Sequence, residues 1–258
     1  AGTAILAQTL QDHGLTSYAV DKTRMRQGPN RRQVAFVVMD LTTDGAQSAA
    51  LRAARRASYV HLAPPCGTAS RAREIFRPGV TARPLRSEEF PRGLPGLAGS
   101  DRARVEAANI LYDFSADVAR AASAAGTKWS IENPRSSWFW KVPSIAKLRE
   151  DPSVVEVDFQ SCAHGGSRPK WTRLWTNVKA FESLTKRCPG VGDDHVHRPW
   201  GFAEEGGLAT AQEAAYPEGL CEAMAKARPV KRPRQSVSQG AICSASPVSP
   251  RGPSSSAA

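Results

Sequence analysis

The sequence predicts an α/β protein in which a largely parallel sheet is covered by helices, and two observations carry that expectation. Short apolar runs rich in β-branched residues alternate with helical patterns, the order that builds parallel sheets. Two of those runs also deliver a reactive side chain, a thiol or a carboxyl, where the run ends and a loop begins. In open α/β sheets the carboxyl ends of strands are where ligands bind. In chain order, Ile5, Leu6 and Leu10 recur at helical spacing up to a stop at His13-Gly14. Residues 16–20 read as a strand ending at Asp21, and 34–39 as a second ending at Asp40. A helix is expected over 47–56, then a strand over 59–62 that leads into Ala63-Pro64-Pro65-Cys66-Gly67-Thr68. The longest helical pattern covers 101–125, with a stripe of Val105, Ala108, Ile110, Leu111, Phe114 and Val118 and a stop at Gly126. A strand over 129–131 then runs into Glu132-Asn133-Pro134. Residues 154–159 and 173–175 read as a late antiparallel pair around a 162–169 loop, and 219–227 as a closing helix.

A chain of 258 residues, 41% hydrophobic and 23% charged, has enough apolar content for one good-sized core, and one domain over 1–227 is the expectation. No run of eighteen apolar residues and no charged-then-apolar leader is visible, which predicts a soluble intracellular protein with no membrane partner. Five widely spaced cysteines, Cys66, Cys162, Cys188, Cys221 and Cys243, suit reduced thiols. The net charge of +11 raises the expectation of a polyanionic partner. Five of the basic residues lie in 228–258, a Pro/Ser-rich stretch without an acidic residue that reads as a disordered tail. Another group, Arg71, Arg73, Arg77, Arg83 and Arg86, sits among glycines and prolines in 67–100, either a solvated loop or a phosphate clamp.

Taken in order, these segments resemble the DNA cytosine-5 methyltransferases, most closely their compact phage-type members, from Gly2 to about Ala227. Pro64-Pro65-Cys66 looks like the family's nucleophile loop and Glu132-Asn133-Pro134 like its Glu-Asn motif. Cys162-Ala163-His164-Gly165, Lys170, Thr172 and Trp175-Thr176-Asn177 are similar to its later basic loop and strand. Ala1-Gly2-Thr3, Asp21 and Asp40 fall where its cofactor loop and two acidic partners stand. The resemblance implies a three-layer, Rossmann-like methyltransferase fold that uses S-adenosylmethionine, with DNA as partner, as a monomer.

The same resemblance implies roles. Cys66 would add as a thiolate to carbon 6 of cytosine, making carbon 5 nucleophilic enough to accept a methyl group. Glu132 would hold or protonate ring nitrogen 3, work that needs a carboxyl with a raised pKa. Asn133 and Pro134 would shape the turn, with Asn133 and Pro65 counted among the catalytic residues and Pro64 among those that bind the cofactor. Gly2 and Thr3 would approach the methionine part of the cofactor, Asp21 its ribose and Asp40 its adenine. Arg71, Arg73, Lys170 and Arg173 would contact substrate, and a duplex substrate implies base flipping.

The chain departs from the family in several places. Gly67 stands where the family usually has Gln; in its Gln-x-Arg-x-Arg segment stand Arg168, Lys170 and Thr172, so Lys170 gives a point charge for the first planar fork and the second arginine is lost unless Arg173 substitutes by a one-residue shift. The family's central leading strand has no counterpart ahead of Ala1, which predicts two neighbouring strands with unpaired edges. Only 179–210 is available for a recognition insert. It contains Cys188, His195 and His197, which Cys162 could join in a zinc site; their spacing is not a standard finger, and the expectation is a packed cysteine, loop histidines and no metal. Trp138, Phe139 and Trp140 suggest core filling over a base-stacking platform. Pro229-Val230-Lys231-Arg232-Pro233-Arg234 resembles a nuclear import signal, giving a nuclear expectation, otherwise cytoplasmic. Two competing readings are a noncatalytic nucleic-acid-binding relic and a Cys hydrolase using His61 or His164.

Overall fold

A computed structural model describes residues 4–23, 34–76, 82–201 and 209–227. Gly2, Thr3 and the 228–258 tail, with its import-like stretch, lie outside the described residues.

Helix α1 (Ile5–Asp12) ends where Gly14 takes a positive φ of 81°, a conformation that costs glycine nothing sterically. Strands β1 (Tyr18–Asp21) and β2 (Ala35–Val38) follow and pair in parallel, Asp21 opposite Val38. Helix α2 (Asp44–Arg56) carries Asp44 in its first turn and Arg55 and Arg56 in its last, matching the helix dipole at both ends. Strand β3 (Tyr59–Leu62) occupies the four residues expected of it. Helix α3 (Gly99–Ala124) closes at Gly126, again at positive φ, and leads into β4 (Lys128–Pro134). The single-turn α4 (Pro143–Ala146), strands β5 (Val155–Gln160) and β6 (Trp171–Thr176), the single-turn α5 (Ala209–Gln212) and α6 (Glu218–Ala227) complete the order.

The protein is α/β with a mixed sheet. Four strands run β3-β4-β6-β5, with β3 and β4 parallel and the late pair antiparallel as expected. Strands β1 and β2 form a separate two-stranded sheet. Among the described residues the two sheets share no ladder.

Helices cover both faces of the larger sheet, because alternate side chains of each strand point to opposite faces. On one face Trp129, Ile131 and Trp175 pack with Ala108, Tyr112, Ala116 and Ala119 of α3 and with Phe139 and Trp140. The aromatic run is therefore mostly core: Phe139 and Trp140 are buried, and Trp138 donates to Glu74 Oε1. On the other face Val157, Phe159 and Leu174 pack with Leu6 and Leu10 of α1 and Leu220 and Met224 of α6. Phe181 and Leu184 join that core, so the start of the expected 179–210 insert is part of the main body. Helix α1 fastens the two sheets together: Ala4 and Ala7 pack with Ala19, Val34 and Phe36, while its other side meets α6, where His13 bonds Glu222 at 2.9 Å.

One phase in α3 differs from expectation. Ile110 is exposed and Tyr112 is fully buried, because the inward stripe runs 105, 108, 112, 116, 119. No helix among the described residues is long and apolar enough to cross a membrane, and none of the four described cysteines is in a disulfide.

Candidate active site

Parallel pairing of β3 with β4, Leu62 opposite Ile131, brings both carboxyl ends to the same edge of the sheet. The Pro64-Pro65-Cys66 turn and the Glu132-Asn133-Pro134 segment thus leave the sheet side by side, about 5 Å apart in strand spacing. Asn133 Nδ2 donates to the Pro64 carbonyl at 3.2 Å and fastens one to the other. Tyr112 donates its hydroxyl to the Pro65 carbonyl at 2.7 Å from beneath. Backbone amides of Ala69 and Ser70 both donate to the Cys66 carbonyl, closing a tight turn after the thiol.

The two reactive groups sense each other. Burial pushes the half-buried Cys66 thiol above its ordinary value, the charge of Glu132 adds to the push, and Lys170 opposes it. Burial likewise raises the Glu132 carboxyl, against the lowering effects of Lys170 and the Tyr216 hydroxyl. Lys170 Nζ stands 3.9 Å from Glu132 Oε1 and donates to the Glu213 carbonyl. Glu132 Oε1 and Asn133 Oδ1 are buried and have no hydrogen-bond partner among the described residues.

Behind Glu132 runs a buried polar chain that the sequence did not reveal. Tyr59 and Ser130 hydroxyls lie 2.6 Å apart, Ser130 Oγ lies 2.8 Å from His61 Nδ1, and His61 Nε2 lies 2.8 Å from the Tyr216 hydroxyl. Tyr216 then donates to Glu132 Oε2 at 3.3 Å. Burial lowers His61 to about 3, so the ring is neutral with one N–H. One direction satisfies every member: Tyr59 to Ser130, Ser130 to Nδ1, Nε2–H to Tyr216, Tyr216 to Glu132.

Arg86, expected as part of a solvated or phosphate-binding loop, is a buried pin. Its guanidinium donates to Thr68 Oγ1, Asn109 Oδ1 and the Pro91 and Val105 carbonyls, and it stacks 4.9 Å over the Tyr112 ring. Arg71 is exposed and Arg73 half-buried beside the turn. Arg71 pairs with Glu74 and stacks on Trp138, while Arg73 donates to the Arg83 and Gly67 carbonyls.

Arg173 corrects the expectation that it replaces the missing arginine fork. It pairs with Asn133 across the β4–β6 ladder, whereas Glu132 pairs with Leu174. Directly opposed residues share a face, so Arg173 and Glu132 point to opposite sides of the sheet. Its guanidinium is held by Asp158 and Glu156. The hydrolase reading also loses its partners: His61 bonds Ser130 and Tyr216 through its two nitrogens, and His164 Nε2 bonds the Leu184 carbonyl.

Asp21 ends β1 and Asp40 follows β2, on the same edge of the two-stranded sheet. Asp40 Oδ1 accepts from Thr42 and its Oδ2 pairs with Lys22 at 2.8 Å; these bonds, that with Lys22 foremost, lower its carboxyl to about 2. Asp21 Oδ1 accepts from the Lys22 amide.

No family model, curated protein or solved structure matches the chain.

Proposed function

We propose that this chain is a Rossmann-like, S-adenosylmethionine-dependent methyltransferase acting on carbon 5 of cytosine in DNA. The observation that carries the reading is the departure of the Cys66 turn and the Glu132 segment from the carboxyl ends of adjacent parallel strands, with Lys170 Nζ 3.9 Å from Glu132 Oε1.

The chemistry follows from the arrangement of the residues. Lys170 favours the thiolate, and the sulfur of Cys66 forms a bond to carbon 6 of an extruded cytosine. As that bond forms, electron density moves toward nitrogen 3, where a neutral Glu132 supplies a proton. Tyr216 donates to Oε2, and the carbonyl oxygen of a neutral carboxyl is the better acceptor, so the proton sits on Oε1, the atom without a hydrogen-bond partner. The ring becomes enamine-like and nucleophilic at carbon 5. S-adenosylmethionine supplies an electrophilic methyl group. Its donor set fits Asp21 for the two ribose hydroxyls, since a carboxylate accepts two bonds, and Asp40 for the adenine amino group through a remaining lone pair. Loss of the carbon 5 proton to water, return of the nitrogen 3 proton to Glu132 and re-formation of the 5,6 double bond release Cys66 as a thiolate. The exposed Arg71 and the half-buried Arg73 beside the turn suit phosphate contacts.

The test is a covalent trap. Incubation with DNA containing 5-fluorocytosine and S-adenosylmethionine is expected to give an adduct that survives denaturation and is lost in Cys66→Ser. DNA binding without an adduct would replace this reading with the noncatalytic one.

A further inference from the structure

Cys162, Cys188, His195 and His197 lie in separate stretches, and their spacing favours loop histidines and a packed cysteine. Folding brings them together. One ligand atom from each lies within 4.8 Å of every other. Cys188 Sγ stands 3.4 Å from His195 Nε2 and 3.5 Å from His197 Nε2, and the two Nε2 atoms are 3.0 Å apart.

We infer that these four side chains form a structural zinc site. Tetrahedral zinc with Zn–S of about 2.3 Å and Zn–N of about 2.0–2.1 Å sets ligand separations of roughly 3.3 Å for N to N, 3.6 Å for S to N and 3.8 Å for S to S. The three separations among Cys188, His195 and His197 lie close to that set, and Cys162 Sγ lies within 4.8 Å of each of the others. Three sulfur and nitrogen atoms that otherwise compete as acceptors turn inward, and a central cation is the partner that satisfies all of them. Two thiolates and two neutral imidazoles around a divalent ion sum to zero charge, which suits a site with Cys162 buried and the others half-buried. Both rings offer Nε2, and they point the same way because His195 and His197 are two residues apart in extended chain. The Gly190 amide donates to Cys188 Sγ at 3.4 Å, the kind of outer contact that stabilises a metal-bound thiolate. Four protein ligands leave no open position, so the role is bracing.

What it braces is visible in the surrounding bonds. Cys162 belongs to the turn after β5, where the Ser161 amide donates to the Lys170 carbonyl. The stretch carrying Cys188, His195 and His197 is laid along that turn by Cys188 N to Gln160 Oε1, Arg168 Nε to the Pro199 carbonyl and the Arg198 amide to the Ser167 carbonyl. The ion would tie this stretch to the turn that presents Lys170.

The full chain, purified under reducing conditions from zinc-supplemented cells, is expected to contain one zinc per chain by elemental mass spectrometry. Replacement by cobalt(II) is expected to give intense visible bands of a tetrahedral site with sulfur-to-metal charge transfer. Cys188→Ser and His195→Ala should lose stoichiometric metal, while Cys66→Ser keeps it. Substoichiometric zinc with a weak, octahedral cobalt spectrum in the unmodified chain would overturn the assignment, as would metal retained in full by Cys188→Ser. The cobalt spectrum needs no variant, so it decides the matter even if a ligand substitution prevents folding.

Discussion

Tyr216 donates to Glu132 Oε2 at 3.3 Å, joining a residue just ahead of the last helix to the carboxyl at the end of a central strand. That contact directs a hydrogen-bonded chain of four residues onto one carboxyl oxygen and leaves the other without a hydrogen-bond partner among the described residues, 3.9 Å from Lys170 Nζ. Tyr216→Phe removes two hydrogen bonds, the one it donates to Glu132 and the one it accepts from His61; loss of the first, at about 1 to 1.5 kcal/mol, corresponds to about tenfold in rate. The expected result is slower adduct formation with 5-fluorocytosine DNA and unchanged DNA affinity, read by quenched-flow trapping beside a filter-binding titration.

The thiol titration reports the Cys66–Glu132 coupling directly. Burial and the Glu132 charge raise Cys66, so its alkylation by iodoacetamide should rise with pH later than that of a free thiol. Glu132→Gln removes a negative charge and should move the midpoint down. Lys170→Met removes a positive charge and should move it up. Identical midpoints in all three proteins would show that the groups do not share a site.

Acid stability should carry the signature of His61. Its folded value of about 3 lies below the unfolded 6.5, so between those limits the unfolded chain binds a proton that the folded chain does not. Stability from this group is therefore full above pH 6.5 and falls as pH drops toward 3, by a few kcal/mol. Glu132, raised by burial, works in the opposite sense over its own range. Urea denaturation across this range should show a shallower acid loss in His61→Gln than in the unmodified chain.

Arg86 should behave as a structural residue. Arg86→Met leaves the Thr68, Asn109 and backbone acceptors unpaired in the interior, at about 3 kcal/mol. A clear drop in Tm is expected, whereas Arg71→Ala should leave Tm nearly unchanged.

Arg71 and Arg73 are expected to contact phosphates. Each alanine substitution should weaken binding to unrelated duplexes alike and reduce the slope of log affinity against log salt by about 0.9. Fluorescence anisotropy at several salt concentrations measures it; unchanged slopes would assign both arginines to the loop alone.

The legible parts of this molecule were the ones written locally. Residues 59–62 announce β3 through a short apolar run closed by two prolines, and Gly14 and Gly126 mark helix ends because the chain there needs positive φ. The adjacency of the Cys66 and Glu132 segments was legible for the same reason, each being a reactive residue at the end of such a run. Arg86 was not: its solvated and buried readings have the same local text, and the decision lies with Thr68, Asn109 and Tyr112. Arg173 was misplaced because a one-residue step along a strand reverses the face, and only the β4–β6 register settles which face that is.

The order of strands and helices, the two strand-end motifs and the basic charge followed from the amino-acid order alone, since periodicity and turn chemistry act over a few neighbouring residues. Long-range packing decided the rest: the division of the sheet, the chain from Tyr59 to Glu132, and the meeting of Cys162 with Cys188, His195 and His197. Those arrangements join residues tens to more than a hundred positions apart, and contacts at that separation are set by which faces are buried together.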